Sequence, residues 1–216
     1  MKSVLVTGGT VRLGKAIADR LRAEGWRVIT SSHRADAGAD IVADLAEPMG
    51  AAKLYAAALQ MLGGTPPDAL VNNAALFTGD AAAIAEVNLE APKKLTMMMA
   101  GRETGVGAVV NVLDAKALDG NRLQSTAADS YRNSKRELAA FTCSSAATFA
   151  ATLRVNGVAP GPVMAPTNVH EKAGEMLLDR RPTADDVASA VSYLLSAEAT
   201  TGVVIPVDAG QHLVAQ

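Results

Sequence analysis

Seven short apolar runs, separated by stretches with helical spacing, set the architecture of this chain. Val4-Leu5-Val6 is the first, and residues 26–30, 40–45, 69–73, 108–113, 153–158 and 203–207 are the others. Val4-Leu5-Val6 is continuously apolar and reads as a buried strand of a parallel sheet. Between the first two, Leu13, Ile17, Ala18 and Leu21 recur at helical spacing until Gly25 stops the helix. Residues 48–62 read as a second helix, broken by Gly63-Gly64-Thr65-Pro66-Pro67. Residues 81–100, 129–150 and 183–196 read as three more. Strand and helix alternate with no repeat and no linker-like segment. The pattern predicts one α/β domain over residues 1–216: a doubly wound parallel sheet of about seven strands with helices on both faces. Ligands of such sheets bind beyond the carboxyl ends of the strands.

Composition narrows this picture. Hydrophobic residues make up 49% and charged residues 19%, which excludes a disordered polar chain. Aromatics are only 3%, so the core is built from Ala, Val, Leu and Met, and each aromatic invites a separate question. Met97-Met98-Met99 is expected to be core. The formal net charge is −2 with no basic block, which argues against nucleic-acid binding. No apolar run reaches the roughly 18 residues of a membrane span. The chain runs from Met1 straight into a strand and a glycine loop, so no signal peptide is expected. The lone Cys143 cannot form an internal disulfide, and a reducing, cytoplasmic setting is expected. Its helix is expected to be buried there, with Cys143 an inert core thiol. His33, His170 and His212 are scattered without ligands at binding spacing, and no metal site is expected.

Candidate chemistry lies at the predicted carboxyl ends. Gly8, Gly9 and Gly14 occupy the first strand-to-helix turn, where glycine lets the backbone approach a pyrophosphate and a helix N-terminus offers N–H groups. Arg12 adds a fixed charge to that loop. The second strand ends in Ser31-Ser32-His33-Arg34, with no acid at the strand end and Asp36 two residues past Arg34. An acid there suits the ribose hydroxyls of NAD, whereas a basic residue suits the 2′-phosphate of NADP. Ser32, His33 and Arg34 therefore favour NADPH. Tyr131 and Lys135, four apart on a predicted helix, share a face. Tyr-x-x-x-Lys alone is a weak signal. Asp114, at the end of the fifth strand, is placed to reach the same site.

Taken in order, these features resemble the short-chain dehydrogenase/reductase family over nearly the whole chain. The matching residues are Thr7-Gly8-x-x-x-Arg12-x-Gly14, Asp44-Leu45, Asn72-Asn73-Ala74, Asn88, the strand ending near Asp114, Tyr131-x-x-x-Lys135, Pro160-Gly161 and the closing Ile205-Pro206-Val207-Asp208-Ala209-Gly210. The resemblance implies a Rossmann-like fold and hydride transfer with a nicotinamide cofactor. It places Asp44 and Leu45 near the adenine, and Leu13, Asn73, Ala74, Ala75, Pro160 and Gly161 along the cofactor. It has Asn88 holding a water relay behind Lys135, and Lys135 binding the nicotinamide ribose. Tyr131 is the implied proton donor, its pKa of about 10 lowered by the nearby ammonium.

Two departures point to a subgroup. The usual middle glycine of the loop is Arg12, and the usual catalytic serine is Asp114. Both are similar to pteridine reductases, as are His33-Arg34, Phe77 where those enzymes stack an aromatic on the pterin, and Asn88-Leu89-Glu90-Ala91-Pro92. The resemblance implies NADPH-dependent reduction of a pteridine, with Arg12, Phe77, Asp114 and Tyr131 around the substrate. Asp114 then orients Tyr131 or donates to a ring nitrogen. The connection from Asp114 to Tyr131 is long and polar, the segment after Gly161 is short, and Val163 stands where a serine is expected. The alternatives are a carbonyl reductase of the same family and a catalytically silent NADPH-binding sensor. The helix over 129–150, with Leu138, Phe141 and Phe149, is expected to offer an apolar face to a homotetramer.

Overall fold

The computed structural model describes residues 1–103, 105–118, 127–163 and 176–214. The expected polar connection falls largely at 119–126, and the expected substrate lid, with His170, at 164–175; both lie outside the described residues.

Seven parallel strands form one sheet: β1 Ser3–Thr7, β2 Arg27–Ser32, β3 Ile41–Val42, β4 Ala69–Asn72, β5 Gly107–Val112, β6 Leu153–Pro160 and β7 Val204–Val207. Their order is β3-β2-β1-β4-β5-β6-β7, a Rossmann-like arrangement. The chain winds outward from β1 to β3, then returns to lay β4 against β1. That reversal opens a crevice beyond the carboxyl ends of β1 and β4, where ligands of such sheets bind.

Alternate side chains of a strand face opposite ways, and each face of this sheet has its own core. Val4 and Val6 pack with Ile17, Leu21, Val191 and Leu194 under helices α1 (Arg12–Ala23) and α6 (Ala184–Ser196). Leu5 packs with Leu54, Leu95, Met99 and Val109 under helices α2 (Gly50–Met61) and α4 (Ala91–Ala100). Leu54 and Leu95 are fully buried, so cutting either to alanine costs about 2–5 kcal/mol. Met99 is core as expected, but Met97 is half exposed.

Three local features depart from the sequence pattern. Residues 81–100 are not one helix. α3 (Ala81–Ala85) passes through a π-helical turn at Glu86–Glu90 before α4 begins. β3 is only Ile41–Val42. Helix α5 (Ala127–Thr148) leaves Cys143 exposed, so this thiol is not core. Leu138, on another face of α5, is buried instead.

Candidate functional site

The turn after β1 is held by backbone contacts too close for any side chain. A Cβ on Gly14 would lie 2.0 Å from the Gly8 carbonyl oxygen, and Gly8 has a left-handed φ of 61°. Arg12 also sits at positive φ, 48°, so the place of the usual glycine keeps a glycine-like backbone while carrying a guanidinium. Thr7 Oγ1 accepts from the N–H groups of Asn73 and Ala74 at 2.9 and 3.0 Å. Asn73 Nδ2 donates to the carbonyls of Thr7 and Gly8 at 2.9 and 3.1 Å. These bonds stitch the turn after β1 to the end of β4 across the crevice. The N-cap of α1 is Val11, which supplies no side-chain cap, and no acid stands in the first turn. The helix thus offers N–H groups and partial positive charge to an anion without a competing carboxylate. This cradle fits a pyrophosphate. Leu13 is half-buried, and Ala74 and Ala75 line the half-buried start of the segment after β4.

At the end of β2, Ser32 is half-buried while His33 and Arg34 are exposed. Ser32 Oγ accepts from Arg34 N at 3.1 Å. The Arg34 guanidinium faces Asp36 rather than open solvent, with Nε–Oδ1 at 2.9 Å and Nη2–Oδ2 at 2.7 Å. Asp44 is exposed, its Oδ1 accepting from Ala46 N at 2.9 Å, and Leu45 is buried. Pro160 ends β6, and a Cβ on Gly161 would lie 2.7 Å from Asp208 Cα.

The second half of the site gathers around Tyr131. Its Oη donates to Asp114 Oδ2 at 3.0 Å. Asp114 Oδ1 accepts from Lys116 N at 2.8 Å, which fixes the carboxylate at the end of β5. The Phe77 ring stacks on Tyr131, centroids 4.8 Å apart at 29°, and Phe77 is 66% exposed. The structure thus brings Phe77, Asp114 and Tyr131 together, with the phenylalanine lying on the tyrosine itself.

Lys135 is 2% exposed and its Nζ donates to Val112 O at 2.7 Å, 6.0 Å from the Tyr131 ring centre. Burial lowers its pKa to about 8, opposed in part by the Asp114 charge. The expected lowering of the tyrosine by Lys135 does not occur. Burial first, then the charge and hydrogen bond of Asp114, push the Tyr131 phenol well above its ordinary value of 10. The phenol is therefore protonated at neutral pH.

Asn88 stands fully buried in the π-helical turn, and its side chain bonds to Leu76 and Ser134. Its Oδ1 accepts from Leu76 N at 2.8 Å, and its Nδ2 donates to Leu76 O at 2.9 Å and to Ser134 Oγ at 3.2 Å. Ser134 in turn donates to Tyr131 O at 2.7 Å. Asn88 so pins the segment carrying Phe77 to the helix carrying Tyr131. Sequence reasoning did not foresee Ser134 in this link; its place between Tyr131 and Lys135 was the available signal. The resemblance implies that Asn72 steadies the central sheet, but Asn111 and Thr142 were not foreseen in the buried chain from Asn72 Nδ2 to Asn111 Oδ1 at 2.8 Å and from Asn111 Nδ2 to Thr142 Oγ1 at 2.9 Å. That chain ties β4, β5 and α5 behind the site. Val163 is half-buried against the α1–α6 core. No group of three metal-binding side chains occurs among the described residues, and no described helix is long and apolar enough to cross a membrane.

A phenol and a carboxylate beside a pyrophosphate cradle suit proton transfer next to a bound dinucleotide. The chain is 30% identical to FolM alternative dihydrofolate reductase 1 from Brucella canis, solved in complex with NADP, over 100% of this chain and 96% of that one, with a TM-score of 0.85. Protein FixR of Bradyrhizobium diazoefficiens is 29% identical over 98% of this chain and 87% of its own length. Glucose 1-dehydrogenase 2 of Bacillus subtilis is 28% identical over 98% of this chain and 95% of its own. The family described as short chain dehydrogenase matches residues 2–176, and the chain belongs to that family of oxidoreductases.

Proposed function

We propose that the protein is an NADPH-dependent reductase acting on a pteridine, a dihydropterin or a related pterin. The observation that carries this reading is the Tyr131–Asp114 hydrogen bond of 3.0 Å beneath the exposed ring of Phe77. A flat, nitrogen-rich ring finds there an aromatic surface to stack on and a phenol and a carboxylate at its edge. The similarity to FolM alternative dihydrofolate reductase 1 supports it.

The residues present fit the cofactor. Gly8, Arg12 and Gly14 with the N-terminus of α1 would hold the pyrophosphate; Ser32, His33 and Arg34 the 2′-phosphate; Asp44 and Leu45 the adenine side. Leu13, Asn73, Ala74, Ala75, Pro160 and Gly161 would line the rest, and Lys135 the nicotinamide ribose. When bound, NADPH supplies a hydride to an electron-poor C=N or C=O carbon. The chain supplies the proton. Tyr131, kept protonated by burial and by Asp114, gives its phenolic proton to the substrate heteroatom. In the resting geometry that proton points at Asp114 Oδ2, so donation to the substrate breaks this bond. Lys135, charged below about pH 8, favours the phenolate that forms. Asn88 and Ser134 position the two aromatic rings. Assembly as a homotetramer and a cytoplasmic location complete the reading.

A second reading, carbonyl reduction, is favoured by the kinship with glucose 1-dehydrogenase 2, because Tyr131 and Lys135 serve a ketone equally well. Loss of NADPH absorbance at 340 nm, followed with dihydropterins and with a ketone and aldehyde panel, separates the two. Turnover of dihydropterin alone supports the first; turnover confined to carbonyls supports the second. NADPH binding without turnover of either would leave the silent sensor.

A further inference from the structure

We infer that Asp36 is a built-in competitor for the phosphate-binding edge of Arg34, and so sets how strongly the protein prefers NADPH to NADH. This rests on the NADPH reading above. The Arg34 guanidinium uses Nε and Nη2 in a two-point grip on the Asp36 carboxylate, at 2.9 and 2.7 Å. A phosphate ester seeks the same two-point grip from an arginine. At that edge of the guanidinium it meets a carboxylate already in place.

Local geometry explains why the pair forms. A single 3₁₀ turn, Ala35–Ala37, follows Arg34, closed by Ala37 N donating to Arg34 O at 3.3 Å, and Gly38 at φ 65° turns the chain back. The turn lays the carboxylate alongside the guanidinium two residues earlier. The other acids nearby are engaged elsewhere. Asp40 Oδ2 accepts from Thr30 N and Thr30 Oγ1 at 2.8 and 2.7 Å, and Asp44 Oδ1 accepts from Ala46 N. Asp36 is the acid that faces Arg34.

The pair is 62% and 70% exposed, and such pairs are weak and screened by salt. A dianionic phosphate can therefore displace Asp36. The displaced carboxylate stays nearby and repels it, so NADPH affinity is reduced. NADH carries no 2′-phosphate and leaves the pair intact. The native protein should thus show only a modest preference for NADPH, which loss of the Asp36 charge sharpens.

Fluorescence titration of NADPH and NADH against the native protein, Asp36→Asn and Arg34→Gln tests this at low and high salt. Asp36→Asn should tighten NADPH about two- to fivefold and leave NADH unchanged. The gain should shrink near 1 M salt, where the Debye length is about 3 Å. Arg34→Gln should weaken NADPH and spare NADH. If Arg34→Gln weakens NADPH while Asp36→Asn leaves it unchanged or weaker, the competitor role is overturned and the NADPH reading stands. If Arg34→Gln changes neither nucleotide, Arg34 does not hold the phosphate and both assignments fall at this position.

Discussion

The two halves of the site are built by different means. At the ends of β1 and β4, geometry is set by backbone. Gly14 has no room for a Cβ, Arg12 keeps a left-handed φ, and Thr7 and Asn73 bond to main-chain groups. At the end of β5 and on α5, geometry is set by side chains: Asp114 on Tyr131, Tyr131 under Phe77, Asn88 on Ser134. A backbone cradle recognises what every dinucleotide shares. A side-chain constellation can change one residue at a time and so choose the substrate. Lys135 belongs to both halves, buried between them on the Val112 carbonyl.

The sharpest way to break this contrast is Tyr131→Phe. Reduction should fall by about 10²–10⁴-fold, the usual contribution of a general acid. NADPH affinity, measured by fluorescence, should stay within about twofold, because the cradle is untouched. The converse change is Gly14→Ala. Its Cβ would meet the Gly8 carbonyl oxygen at 2.0 Å, so the loop must move. NADPH binding should weaken at least about tenfold, and stability should fall by about 1–3 kcal/mol in thermal or urea unfolding.

A pH profile probes the group common to both halves. Lys135 carries its charge below about pH 8 and loses it above, whereas Tyr131 stays a phenol. The reductive kcat/KM should therefore fall as pH rises through about 8. Stability has the opposite slope. Folding lowers the lysine from its ordinary 10.5 to about 8, so between these values the unfolded chain holds the extra proton. The contribution of this group to stability then rises with pH across that window. In Lys135→Met both dependences should vanish. The smallest expected effect is that of Phe77→Ala, which removes the stacking surface. The KM for a dihydropterin should rise about two- to tenfold, with the KM for NADPH unchanged.

Much of the backbone-built half could be read from the residues. Apolar runs gave the seven strands, and Gly8 and Gly14 just after the first run marked the turn. The π-helical turn at Glu86–Glu90 was hidden, because one wider turn leaves the apolar spacing of a helix almost intact. The exposure of Cys143 was hidden for a related reason: α5 is rich in small residues, and its spacing does not announce which face meets the sheet. The side-chain half was legible as a list of residues but not as an arrangement. Helical spacing puts Tyr131 and Lys135 on one face, yet the lysine reaches past the phenol to the Val112 carbonyl, and Asp114 takes its place as the nearest charge. That exchange reverses the direction of the tyrosine shift. Nothing in the spacing of Arg34 and Asp36 showed that a 3₁₀ turn would join them.

The measurement closest to the central claim is NADPH consumption by the native protein and by Asp114→Ser, each with a dihydropterin and with a ketone panel. The native protein should reduce the dihydropterin. Asp114→Ser should lose that activity by about 10²-fold, while NADPH binding and any ketone reduction persist. Ketone reduction without any dihydropterin turnover in the native protein, rising further in Asp114→Ser, would contradict the account.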